Sequence, residues 1–159
     1  MNTAFTSAEA QRAIEVLASR PLVRLITEID DNGAIPPRRL AGTLPDLSAH
    51  QLRSACDTAR AHGLLKSAPG AALELTSVGT ELADLYDAMA RWARRHALPA
   101  PVCEFSGRIQ YVLDLVAPSL TTERADGAEA DLSRLRTLLI QWLAGNLRVA
   151  RVPEPELAA

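Results

Sequence analysis

The side chains best suited to recognition chemistry lie between residues 36 and 66. Arg53 comes first, because a guanidinium offers parallel N–H donors that match both O6 and N7 of guanine. Ser48, His50, Gln51 and Ser54 stand around it at helical spacing, and their hydroxyl, imidazole and amide groups are of the types that can bond base edges or phosphates. Arg38, Arg39 and Lys66 flank them as cations suited to phosphate oxygens, which fix position but carry no sequence information. With Arg60 added, this stretch holds five cations against Asp46 and Asp57, a net charge of +3 in a chain whose formal charge is −2. The segment from residue 97 onward carries −2 itself, so a basic middle sits on a neutral to acidic chain. Lys66 is the sole lysine, and the positive surface is therefore almost all arginine.

Other chemistries find little support. His50, His62 and His96 have no ligand spacing with one another or with Cys56, so no metal site is expected. Cys56 falls on an apolar stripe and reads as a small core residue, while Cys103 lies in a linker; both are expected to be thiols. A nucleophile elbow, a phosphate-binding loop, a dinucleotide fingerprint and paired carboxylates are all missing from the sequence. The expectation is therefore no enzyme and no cofactor. Aromatic residues make up 4% of the 159 residues, which argues against a stacking platform for single strands. Hydrophobic residues at 48% and charged residues at 23% are ordinary values for a chain that folds around a core. The longest apolar run, near Leu138 to Ile140, is far short of the roughly 20 residues that cross a bilayer, and a cytoplasmic location is expected.

The elements that must hold these groups are marked by their punctuation. Thr6 and Glu9 form a capping box before Ala10, Ala13, Ile14 and Leu17, which predicts a helix over about 7–19. Pro21 opens a second helix with the stripe Leu22, Leu25, Ile26 and Ile29, and Asn32-Gly33 stops it. Pro36-Pro37 begins a third, short helix carrying Leu40. Ser48 and Gln51 form another capping box, and Leu47 with Leu52 has staple spacing, so the start of a helix over 48–62 is doubly specified. Its inner stripe is Leu52, Ala55, Cys56 and Ala59, and its outer face carries His50, Arg53, Ser54 and Asp57.

Gly63 ends that helix, and Leu64 to Lys66 with Ala72 to Leu75 around Pro69-Gly70 predict a small β-hairpin, a wing. A long helix follows to about His96, with Val78, Leu82, Leu85, Met89, Trp92 and His96 at heptad-type spacing. That seam suits either a second copy of the chain or the chain's own core. Leu98 to Pro101 reads as a linker, two more helices are centred on Ile109 to Val116 and Leu132 to Leu143, and residues 117–131 between them read as a loop. The tail from Pro153 reads as frayed.

The fold class so predicted is mainly α with a small β-hairpin: a winged helix-turn-helix over residues 1–96, with a helical extension over 97–159. On Leu44-Pro45-Asp46-Leu47-Ser48, the position of Leu52, His62-Gly63-Leu64-Leu65 and Leu75-Thr76-Ser77-Val78-Gly79, residues 8–96 resemble the HxlR-type transcriptional regulators, with MarR-like regulators as the nearest alternative. The resemblance implies a homodimer on double-stranded DNA, with the helix over 48–62 in the major groove and the hairpin along the backbone. It implies Ser48, His50, Gln51, Arg53 and Ser54 as groove-facing residues, with Arg38, Arg39 and Lys66 at phosphates. The dimer interface is expected at Leu82, Leu85, Met89, Trp92, Leu139 and Trp142.

The sequence departs from the family's pattern at Arg20-Pro21-Leu22, where a Lys-Trp pair is frequent. It departs again in the nearly uncharged Ala68 to Ala72, and in having no cysteine within residues 1–12. The expected function is a sequence-specific regulator on a roughly palindromic operator with half-sites about 34 Å apart. A small apolar effector pocket is expected in the extension. The other reading is a winged-helix protein-interaction module that does not bind DNA.

Overall fold

The computed structural model describes residues 5–66, 70–96, 105–121 and 130–151. Seven α-helices account for most of them: α1 Ser7–Leu17, α2 Arg20–Asn32, α3 Leu40–Thr43, α4 Ala49–Ala61, α5 Ser77–Arg95, α6 Phe105–Val116 and α7 Ala130–Gly145. Single 3-10 turns at Pro37–Arg39, Ala117–Thr121 and Leu147–Val149 complete the set.

Local sequence explains where these helices begin. Both capping boxes form: the Glu9 amide donates to Thr6 Oγ1 at 3.1 Å while the Thr6 amide donates to Glu9 Oε1 at 3.0 Å. At α4 the Gln51 amide donates to Ser48 Oγ at 3.1 Å, and the Ser48 amide donates to Gln51 Oε1 at 2.9 Å. Thr76 caps α5 by accepting from the Gly79 amide, and its hydroxyl donates to the Gly63 carbonyl at 2.6 Å. Gly63 leaves α4 with a φ of 70°, a left-handed conformation that favours glycine.

α5 is the central element and packs on α2, α6 and α7. Tyr86, at its middle, is fully buried and donates its hydroxyl to the Leu17 carbonyl at 2.6 Å, tying α5 to the end of α1. Gly79 lies so close to the chain leaving α4 that a Cβ there would stand 2.3 Å from the Leu64 carbonyl oxygen. One continuous core runs from Phe5 to Ala150, so residues 1–96 and the extension share it.

Three expectations change. The β-hairpin and with it the winged-helix class are overturned: among the described residues there is no strand, sheet or hairpin, only two isolated antiparallel bridges, Leu65 with Leu75 and Leu73 with Ile35. The returning segment divides its backbone bonds between two partners. Leu73 exchanges both of its bonds with Ile35 after α2, while the Lys66 amide donates to the Glu74 carbonyl, so no ladder runs on. Ala71, Ala72 and Glu74 also have little strand preference.

The heptad seam is covered by the chain's own α6 and α7, and Leu82, Leu85, Met89, Trp92, Leu139 and Trp142 are all buried in this core. Finally, the expected loop over 117–131 begins instead as a 3-10 turn that buries Leu120 and receives the Phe5 amide on its carbonyl at 3.0 Å. Its end, Ala130 and Asp131, already belongs to α7, and residues 122–129, the linker around Leu98 to Pro101, Cys103, Ala68-Pro69 and the tail from Pro153 lie outside the described residues.

Candidate functional site

α4 presents one buried and one open face. Leu52, Ala55, Cys56 and Ala59 are buried, mainly against α2. His50, Gln51, Arg53, Ser54, Asp57 and Arg60 are exposed on the other side. The structure thus places Ser48, His50, Gln51, Arg53 and Ser54, the residues expected to face a groove, together at the first two turns of one helix. Arg38 and Arg39 are exposed on the 3-10 turn before α3, in the segment that leads into α4.

The engagement of these groups differs from their promise in the sequence. Ser48 Oγ and Gln51 Oε1 are both taken as acceptors by the capping box, which leaves the serine hydroxyl hydrogen and the glutamine NH2 to face outward. Lys66 is held by Glu74, Nζ to Oε1 at 3.0 Å, so its charge is already compensated, in an exposed pair worth about 0–1 kcal/mol. Arg38, Arg39, Arg53 and Arg60 make no ion pair with any described residue. Asp57 follows Arg53 by one turn and would repel an anion, so the stretch of this face free of acidic side chains is the N-terminal half of α4.

The most developed electrostatic feature is one that the sequence reading did not include. Asp46, in the turn before α4, receives Arg24 in a two-pronged pair, Nε to Oδ2 at 3.0 Å and Nη2 to Oδ1 at 2.9 Å, and Arg20 Nη2 at 2.9 Å. Two arginines of α2 therefore fix the turn that sets the direction of α4, and they cancel the acid nearest its N-terminus. The spacing of Arg20 and Arg24, four residues apart on one helix face, was the available signal. These arginines hold the Asp46 carboxyl well below its ordinary 3.8, to about 2. A depressed carboxyl pKa contributes stability that is present above about pH 4 and lost as pH falls toward 2. Asp46→Asn is accordingly expected to lower the melting temperature by a constant amount near neutral pH, with the gap to wild type closing between pH 4 and 2 in a thermal scan series. A gap that persisted at pH 2 would show that the pair contributes nothing through its charge.

Cys56 is buried, and burial pushes its thiol pKa upward, away from reactivity. His62, at the end of α4, is pushed below its ordinary value first by burial and then by Arg12 and Arg148, so it is neutral near pH 7. Among the described residues no three His, Cys, Asp or Glu side chains gather to hold a metal ion. The extension forms a recess of about 630 Å³ not within itself but with α1, and Glu15 and Asp114 share its lining with Ala10, Ile14 and Pro118. No helix among the described residues is long and apolar enough to cross a membrane.

Compared with protein families, curated proteins and solved structures, the chain matches none.

Proposed function

We propose that this protein is a sequence-specific DNA-binding regulator that acts in the cytoplasm as a homodimer and inserts the N-terminal half of α4 into the major groove. The observation that carries the reading is the open face of α4. His50, Arg53 and Ser54 project from a helix start that is fixed twice, by the Ser48–Gln51 capping box and by the Asp46 pairs with Arg20 and Arg24. Arg38 and Arg39 supply phosphate contacts from the preceding turn, and α3, the turn over 44–48 and α4 make a helix–turn–helix path without a wing. The motifs around Leu44 to Ser48 and His62 to Leu65 that resemble HxlR-type regulators support the same use of this helix.

The test is binding of the purified protein to the duplex upstream of its own coding region and to random duplex, across a salt series. The expected result is a preference of at least about a thousandfold, with affinity falling steeply as salt rises. No binding to either duplex at low salt would overturn the reading and leave α4 as a surface for a protein partner.

A further inference from the structure

We infer that a second copy of this chain docks antiparallel along the groove between α5 and α7, with a two-fold axis beside Ala88. This deepens the homodimer part of the proposed function, because the side chains expected at the interface are buried within one chain, and it does not depend on DNA binding.

The groove has opposite charges at its two ends. α7 runs antiparallel to α5: Trp142 Nε1 reaches the Val78 carbonyl at 3.3 Å, while Arg134 lies beside Arg91, Arg94 and Arg95. At the N-terminal end of α5 the groove is lined by Glu81 and Asp84, and at the C-terminal end by the four arginines. Ala88 and Leu138 belong to both halves and form the middle, where Leu138 is 44% exposed.

Each end repels itself. Among the described side chains, Arg91, Arg94, Arg95 and Arg134 make no ion pair. The last turn of α5 favours cations through the helix dipole, but only by fractions of a kcal/mol per charge. At the other end the Asp30 carboxyl of α2 is pushed up by burial first and then by the neighbouring Asp84, Asp31 and Asp87. Two clusters of opposite sign on one helix, unpaired among the described side chains and with an apolar centre between them, are what a self-complementary surface requires.

The register follows from the spacing. Glu81, Asp84, Ala88, Arg91 and Arg95 recur at steps of three and four and so share one stripe. Ala88 lies midway between Glu81 and Arg95. An antiparallel copy turned about Ala88 therefore sets Glu81 against Arg95 and Asp84 near Arg91, each twice, while the two Leu138 side chains cover each other's groove.

Sedimentation equilibrium at micromolar concentration tests this, with circular dichroism confirming that each variant is folded. Wild type is expected to be a dimer. Glu81→Arg alone and Arg95→Glu alone, both at exposed positions, should each weaken association by at least about tenfold, since each sets like charges face to face twice. Combining them should restore the dimer, because the pairs then re-form with their signs exchanged. A dimer indifferent to both reversals, or one that the double variant fails to restore, would overturn the inference. So would a monomeric wild type whose melting temperature rises with inorganic phosphate, which would make the arginine cluster an anion site. None of these outcomes bears on duplex preference, so the two readings fail separately.

Discussion

Gly79→Ala is expected to destabilise the protein by about 1–3 kcal/mol, although a glycine replaced by alanine within a helix ordinarily gains up to about 1 kcal/mol. The sign is decided by the neighbour. A Cβ at residue 79 would stand 2.3 Å from the Leu64 carbonyl oxygen and 3.2 Å from its carbon, and that carbonyl accepts the Thr76 amide at 3.0 Å. Backbone so engaged does not give way as the end of a flexible side chain would, so α5 must shift against the chain leaving α4. Gly145 provides the contrast within the same protein: it ends α7, and a Cβ there would meet nothing within 4 Å. Gly145→Ala should leave the urea midpoint unchanged or raise it, while Gly79→Ala lowers it. A Gly79→Ala variant as stable as wild type or more stable would mean that α5 does not approach the Leu64 carbonyl as described.

Arg53→Ala is expected to relax base preference by about 1–3 kcal/mol, roughly 5- to 150-fold, on the reading of α4 as the groove helix. No hydrogen bond or ion pair to another described residue restrains this guanidinium, so stability should stay within about 0.5 kcal/mol of wild type. The informative comparison is Arg38→Ala, which should weaken binding to all duplexes alike and reduce the salt slope by about 1. Lys66 is the weaker choice for that control, since Glu74 already holds its ammonium at 3.0 Å. If Arg53→Ala and Arg38→Ala lower affinity for specific and random duplex equally, Arg53 contacts phosphate and the assignment of base readout is wrong.

What the sequence disclosed and what it concealed divide along the range of the interactions. Both capping boxes span three residues, so their partners are fixed by spacing alone, and each formed where the side chains implied. The open face of α4 was legible for the same reason. The pairs that orient it were not: Asp46 lies 26 residues from Arg20 and 22 from Arg24, and only the packing of α2 on α4 brings them together. The β-hairpin failed because a strand needs a partner for its whole length, and Ile35, distant in sequence, took the bonds of Leu73. The stripe from Leu82 to Trp92 announced that something packs there, yet periodicity does not name the partner, which proved to be α6 and α7.

The residues that close over α1 are made well after it. Phe5 bonds the Leu120 carbonyl, Glu9 pairs with Arg151, and the turns Ala117–Thr121 and Leu147–Val149 pack on the helix. A ribosome adding roughly 5–20 residues per second finishes α1 on the order of ten seconds before those segments exist. During that interval Ala10, Ala13 and Ile14 have only part of their native cover. Translation that stalled before residue 117 would thus release a chain with an apolar flank open to chaperones and proteases, and the supply of active protein would depend on the pace of synthesis as well as on its amount.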